Sequence, residues 1–196
     1  MTFGTMKKIK KHYRIISLLL TLNFVAPVYA LELSELLHSF NQQQKSTVDF
    51  SEEKHAFYFD EPLKSSGYLQ FIAPNKLYKF ILKPEKISQK IQGDELHIKN
   101  GTDIRTINLN TYPEFSIIFR ALVSFLSGDH AALKKNFKIN FENNPASWVL
   151  LLSPHDSYIA SHVESIKLSG SENKLNKIII TEPNKDKSIT HIYNHR

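Results

Sequence analysis

The sequence predicts an α+β protein, mainly antiparallel β, in which helices cover one curled, unclosed half-barrel of ten or eleven strands. Three observations indicate this class. Short extended segments alternate with turns rich in Pro, Asn and Gly, a helical pattern precedes them, and one strongly apolar helical pattern interrupts them. A sheet of so many strands must curl to shield its edges, and inserted helices can occupy its concave side.

The first thirty residues have the pattern of a secretory signal peptide. Five basic residues precede an apolar stretch, and Val28-Tyr29-Ala30 ends in small residues that a signal peptidase reads. Residues 15–30 are interrupted by Asn23 and Pro27 and fall short of the roughly 20 residues that span a membrane. We therefore expect cleavage after Ala30, which leaves residues 31–196 as a single domain.

Charge and cysteine content exclude two classes of protein. The signal segment holds five of the 25 Lys and Arg residues and none of the 19 acidic residues, so the remaining chain is close to neutral. A nucleic-acid partner is therefore not expected, because it requires a basic field on the folded domain. Cysteine is absent, which excludes disulfides and an N-terminal lipid anchor through Cys. We expect a soluble monomer.

The N-terminal half reads as one helix followed by six strands. Leu33, Leu36, Leu37 and Phe40 form one stripe of a helix over residues 31–42. Pro-containing breaks at residues 60–62 and 73–75, and later Gly-containing turns, separate extended runs. These runs predict strands over residues 48–59, 63–72, 76–82, 86–92, 95–99 and 103–109.

The middle of the chain predicts a helical lid over residues 113–127. Pro113 starts the helix and Gly128 ends it, and Asp129 can cap a shorter helix over residues 130–136. The lid is apolar on one face and partly apolar on the other, which is unusual for a helix that merely covers a sheet. Its main stripe comprises Phe115, Ile118, Phe119, Leu122, Phe125 and Leu126.

Period-two patterns return after the lid and predict five closing strands. The first has one polar face, and the second holds the only Trp. A polar link over residues 155–162 separates them from the last three. The predicted strands cover residues 137–142, 147–152, 165–169, 175–181 and 188–193.

Catalytic and cofactor motifs are missing from the sequence. It contains no Gly-rich phosphate loop, no His-Glu-x-x-His, no Gly-x-Ser-x-Gly and no Cys nucleophile, and its nine His residues form no ligand cluster. Ser153, His155 and Asp156 resemble a hydrolase triad by composition only. We expect a protein that is not an enzyme and that uses no metal, nucleotide or other cofactor.

The lid predicts an apolar cavity between itself and the curled sheet. The alternative is a helix that simply buries its face in a filled core. An apolar concavity binds acyl chains, because each buried CH₂ contributes about 0.8 kcal/mol. The residues predicted to form the cavity are Phe115, Ile118, Phe119, Leu122 and Phe125 of the lid and Phe50, Leu69, Phe71, Leu77, Phe141, Trp148, Leu150 and Ile178 of the sheet.

Three segments carry a resemblance to a known family. They resemble the opening of the LolA-like periplasmic lipoprotein carriers, whose pattern is F-x-Q-x-K, G-x-L-x-F and R-P-x-x-F, and the chain is most similar to a divergent branch found beside lipid and aryl-polyene biosynthesis genes. The segments are Phe50-Ser51-Glu52-Glu53-Lys54, Ser66-Gly67-Tyr68-Leu69-Gln70-Phe71 and Ala73-Pro74-Asn75-Lys76-Leu77.

This resemblance implies an unclosed half-barrel that carries acylated lipoproteins between membranes. It also implies a periplasmic location, an inner-membrane exporter and an outer-membrane acceptor. Ala73 replaces the family's arginine, which helps to hold the lid shut and release cargo, so another lipidic cargo fits as well as a lipoprotein. The alternatives are an accessory module that docks on an export or biosynthetic complex, and a hydrolase based on Ser153, His155 and Asp156.

Overall fold

A computed structural model describes Met1 and residues 32–194, and the predicted signal peptide lies outside the described residues. The four α-helices of this part of the chain are α1 (Leu33–Asn41), α2 (Pro113–Leu126), α3 (His130–Asn136) and α4 (Ser157–Ala160), and a 3₁₀ helix (Leu109–Thr111) precedes α2. Its strands are β1 (Lys45–His55), β2 (Leu63–Ile72), β3 (Lys76–Lys83), β4 (Ile87–Gln92), β5 (Glu95–Asn100), β6 (Asp103–Asn108), β7 (Phe137–Asn144), β8 (Ser147–Pro154), β9 (Ser165–Ser171), β10 (Lys174–Thr181) and β11 (Lys187–Asn194).

The eleven strands form one antiparallel sheet in the order β6-β5-β4-β3-β2-β1-β11-β10-β9-β8-β7. Each pair of neighbouring strands is consecutive in sequence except β1 and β11, which pair from Val48 opposite Asn194 to His55 opposite Lys187. The sheet is curled and unclosed, with β6 and β7 as its two edges. This confirms the predicted fold class.

The topology dictates where the helices lie. β6 and β7 follow each other in the chain but stand at opposite edges of the sheet, so the segment that joins them must cross it. That segment contains α2 and α3. Gly128 ends α2 with a φ of 72°, and a Cβ there would lie 2.7 Å from the Leu37 carbonyl oxygen of α1. Asp129 caps α3 as predicted, because its Oδ1 accepts from the Ala132 N–H at 2.9 Å.

Packing divides the sheet into two parts. In the filled half, β7 to β9, most inward side chains are fully buried, and the others, such as Ile139 and Phe141, pack against this core. The open half consists of β2 to β6. Among the described residues of these five strands, only the Phe71 side chain is fully buried. The strands β10, β11 and β1 lie between the two halves. The outer face of the open half carries a stacked pair, Tyr68 and Phe80, whose ring centroids are 4.5 Å apart.

The sequence-based bounds are wrong at the end of the first strand. The strand was predicted to reach residue 59, but β1 ends at His55 and the next three aromatic residues lie in an exposed turn. Asp186, which is buried, accepts a hydrogen bond from the Phe57 N–H at 3.0 Å, and the Phe59 N–H donates to the Ala56 carbonyl. Aromatic side chains favour strands in general, but these turn hydrogen bonds replace the strand ladder.

No helix of the described residues reaches the length and apolarity needed to cross a membrane.

Candidate functional site: an apolar cavity under the lid helix

A cavity of about 720 Å³ lies between the open half of the sheet and α2, the lid helix. This volume is in the range of sites that hold small molecules. The sheet contributes inward side chains at alternate positions of β1 to β6, and β10 and β11 complete the wall. The apolar residues of the lining are Phe40, Val48, Leu69, Phe71, Leu77, Ile91, Leu96, Ile98, Ile107, Leu109, Tyr112, Phe115, Ile118, Phe119, Leu122, Leu126, Leu175, Ile178, Ile180 and Ile192.

The lid helix uses two apolar faces for different purposes. Ile117, Ala121 and Phe125, spaced by four residues, are buried in the core against the filled half. A second face points at the cavity and carries Phe115, Ile118, Phe119, Leu122 and Leu126. Because the first face already anchors the helix, the second face does not have to be packed to hold the lid in place.

The cavity opens to solvent near the start of the lid helix. Tyr112 and Phe115 line it, yet they are 44% and 56% exposed, and their ring centroids are 6.3 Å apart. Farther along the helix, Arg120 Nη2 lies 3.7 Å from Asp94 Oδ1 in the turn between β4 and β5. Both of these side chains are about half exposed. This ion pair joins the lid helix to the open half of the sheet.

Eight of the thirteen residues predicted from the sequence line the cavity: Leu69, Phe71, Leu77, Phe115, Ile118, Phe119, Leu122 and Ile178. Their ligand-binding role stays a prediction.

The other five predicted residues lie away from the cavity lining. Phe125, Trp148 and Leu150 are at most 1% exposed in the filled core, and Phe141 packs against it. Phe50 is also buried, with the Lys79 ammonium 5.0 Å from its ring centroid. Their hydrophobicity and inward direction match those of the lining residues, but Phe125, Trp148, Leu150 and Phe141 belong to the filled core, and Lys79 lies over Phe50. The cavity lining therefore does not include these five side chains.

Sequence reasoning missed all of the wall that β4 to β6 supply, including Ile91, Leu96, Ile98 and Ile107. Each of these strands has only six residues, and polar residues separate the apolar ones. In both β4 and β5 every second residue faces the cavity, as Gln89 and Ile91 do before the turn and Leu96 and Ile98 after it. This period of two is the signal that could have identified them.

The wall also contains polar side chains. Glu52 accepts at Oε1 from Lys79 Nζ at 2.7 Å and at Oε2 from Thr190 Oγ1 at 2.8 Å. Gln89 stands directly opposite Lys79 in the strand register. All four line the cavity, and they define the polar cluster Glu52, Lys79, Gln89 and Thr190.

The three residues of the hypothetical hydrolase triad do not form one. Asp156 Oδ1 accepts from the Ile159 N–H and caps α4, and His155 Nε2 lies 3.3 Å from the Lys134 carbonyl oxygen. None of the hydrogen bonds found between residues 32 and 194 connects His155 with Ser153 or Asp156. In the same part of the chain, no three His, Cys, Asp or Glu side chains converge as metal ligands.

Comparison with known proteins gives one family match. Residues 25–192 match the family model described as outer membrane lipoprotein carrier protein LolA-like. A search of the curated proteins finds no match.

Several solved structures are similar to the chain at low sequence identity. A LolA superfamily protein from Nitrosomonas europaea is 10% identical, with 85% of this chain and 95% of that chain covered and a TM-score of 0.46. Lipoprotein LppX from Mycobacterium tuberculosis is 9% identical, with 84% and 96% covered and a TM-score of 0.39. The Pseudomonas aeruginosa MucA/MucB complex contains a chain that is 9% identical, with 83% and 56% covered and a TM-score of 0.44.

Proposed function

Because the chain belongs to the outer membrane lipoprotein carrier LolA-like family, we propose that it is a non-enzymatic periplasmic carrier of acyl chains. It holds the chains of a lipoprotein or another lipidic molecule in the cavity under the lid helix and moves them between membranes. An exporter in the inner membrane supplies the cargo and an acceptor in the outer membrane receives it.

The observation that supports this proposal is the cavity of about 720 Å³, whose wall is mainly apolar. Water makes few favourable interactions with such a wall, whereas each CH₂ group of a ligand that is buried there contributes about 0.8 kcal/mol to the free energy of binding. One acyl chain therefore supplies useful affinity without specific polar recognition. The lid helix is held by its other face, so its cavity face can pack against cargo.

Native mass spectrometry of protein purified from the periplasm, with lipid extraction, tests the proposal. We expect a co-purifying acylated molecule. After delipidation, a lipopeptide added at 100 times its Kd should stabilise the fold by about 2.7 kcal/mol, measured as a rise in Tm. Ile91→Trp places a larger side chain in the cavity and should weaken binding more than about tenfold. Ile104→Trp is the matched control, because Ile104 is exposed on β6 and does not line the cavity.

Two results would overturn the carrier function. One is the absence of any co-purifying lipid together with no binding of lipopeptide to the delipidated protein. The other is equal binding by the Ile91→Trp variant and the wild-type protein, since that would place the ligand outside the cavity. Stable protein partners without lipid would favour the accessory module instead.

A further inference from the structure

The polar cluster Glu52, Lys79, Gln89 and Thr190 forms a stripe across the cavity wall. The register places Thr190 of β11 directly opposite Glu52 of β1, and Gln89 of β4 directly opposite Lys79 of β3. β2 lies between β1 and β3, and Lys79 reaches across it to contact Glu52. The stripe therefore joins four strands in a wall that is otherwise mainly apolar.

The two charges of this stripe are much less exposed than those of an ordinary surface pair. The Lys79 and Glu52 side chains are 24% and 23% exposed, while Lys185 and Glu164 form a pair with the same 2.7 Å distance at 70% and 43% exposure. Partial burial makes each charge dependent on the other, because an unpaired charge next to hydrocarbon is costly. The Glu52 and Lys79 pair is neutral as a unit, and any ligand beside it meets both signs of charge.

This pair still has hydrogen-bonding capacity on both members. An ammonium group carries three N–H donors, and Glu52 is the only hydrogen-bond partner of Lys79 among the described residues. A carboxylate has about four acceptor sites, and Glu52 receives one bond at each oxygen. Gln89 adds an amide that can donate and accept. The cluster therefore suits a group that has both an acceptor oxygen and a hydroxyl or N–H donor.

An anionic group is a poor ligand for the polar cluster. A fatty-acid carboxylate that binds Lys79 brings a second negative charge close to Glu52, beside a wall that is mainly apolar. It either repels Glu52 or displaces it, and a displaced Glu52 keeps only Thr190 as a partner. A neutral ester, amide or alcohol carries no such cost.

Extending the proposed carrier function, on which this inference rests, we infer that the cavity binds acyl ligands whose polar end is uncharged and discriminates against free fatty acids. Glu52 is the residue that determines this specificity. It excludes the anion, and Lys79 binds the carbonyl or hydroxyl oxygen of the accepted ligand.

Laurate and 1-monolauroylglycerol test this inference, because they share one acyl chain and differ in the charge of the polar end. Affinity is measured by displacement of a fluorescent acyl probe from delipidated protein, at a pH well above the carboxyl pKa. The wild-type protein should bind the monoacylglycerol at least about tenfold more tightly. Glu52→Gln keeps the side-chain shape, removes the negative charge, and should raise the affinity for laurate at least about tenfold. Glu164→Gln makes the same change in the exposed pair and should alter neither affinity.

The outcomes separate this inference from the proposed function. If the wild-type protein binds neither the probe nor either lipid, the carrier function itself fails. If it binds both lipids equally, the inference is wrong and the carrier function stands. The comparison of the two lipids uses only the wild-type protein, so the inference remains testable even if Glu52→Gln does not fold. An unchanged laurate affinity in a folded Glu52→Gln protein would show that Glu52 does not determine specificity.

Discussion

The filled half and the open half of the sheet are built from similar strands, but the inward side chains of the two halves are packed differently. β8 alternates a fully buried inward position with a partly exposed outward one, and Trp148, Leu150 and Leu152 contact the core. β4 and β5 also place successive side chains on opposite faces of the sheet, but their burial does not alternate and none of their side chains is fully buried. The two halves differ in what lies against the inner face of the sheet. Helices α1 and α3 and the core-facing side of α2 cover β7 to β9, whereas β2 to β6 face the cavity.

The comparison shows that the alternating pattern of a strand predicts which side chains point inward. It does not predict whether other side chains or an open cavity will lie against them. An inward apolar residue contributes to stability when other side chains fill the space beside it, and to binding when that space is left open. The open half then depends on other contacts, such as the stacked Tyr68 and Phe80 pair on its outer face.

The largest expected effect is the difference between two Leu→Ala substitutions. Leu150→Ala removes a fully buried side chain in the filled half and should lower the free energy of unfolding by about 3 kcal/mol. Leu77→Ala removes a partly exposed cavity-wall side chain and should cost about 1 kcal/mol, because it leaves no new enclosed void. Urea unfolding measures both. Equal losses would contradict the division into two halves.

Two glycines provide a sharper test at a smaller scale. A Cβ at Gly67 of β2 would lie 1.8 Å from the Phe80 carbonyl oxygen, and one at Gly170 of β9 would lie 1.9 Å from the Lys174 carbonyl oxygen. The Cβ at Gly170 would also lie 2.5 Å from the Trp148 ring. Both changes to Ala should destabilise, in the range of about 1–3 kcal/mol.

Gly170→Ala should be the more costly of the two. The Cβ at Gly170 would meet both a backbone carbonyl oxygen and the buried Trp148 ring, whereas the Cβ at Gly67 would meet only the backbone of β3. Denaturant unfolding of the two variants in parallel gives the order, and a larger loss for Gly67→Ala would show that the open half is as tightly constrained as the filled half.

The smallest stability effect is expected where the lid helix meets the open half. Arg120→Ala removes the ion pair with Asp94, and since both side chains are about half exposed, the free energy of unfolding should fall by less than about 0.5 kcal/mol. The rate of ligand release, followed by stopped-flow displacement of a bound probe, should rise severalfold. Arg105→Ala is the matched control, because Arg105 pairs with Asp103 on the edge strand, away from the lid. Equal release rates in the two variants would mean that the Arg120 pair does not restrain the lid.

Local sequence signals determined most of the fold. Pro62 and residues 73–75 set the bounds of β2, which the sequence predicts without error at Leu63–Ile72, and Asp129 sets the start of α3 at His130. These signals succeed because turns and caps depend on a few neighbouring residues. The aromatic turn after β1 was missed because a distant residue, Asp186, holds it.

The cavity was decided by tertiary structure. Sequence indicated that the lid helix has apolar residues on more than one side, but only the crossing from edge strand β6 to edge strand β7 determined which side meets the core. Phe125 therefore joins Ile117 in the filled half while Leu122 faces the cavity. Hydrophobicity and period are local properties of the chain, whereas an empty volume depends on how far helices reach across a sheet, and no single segment encodes that distance.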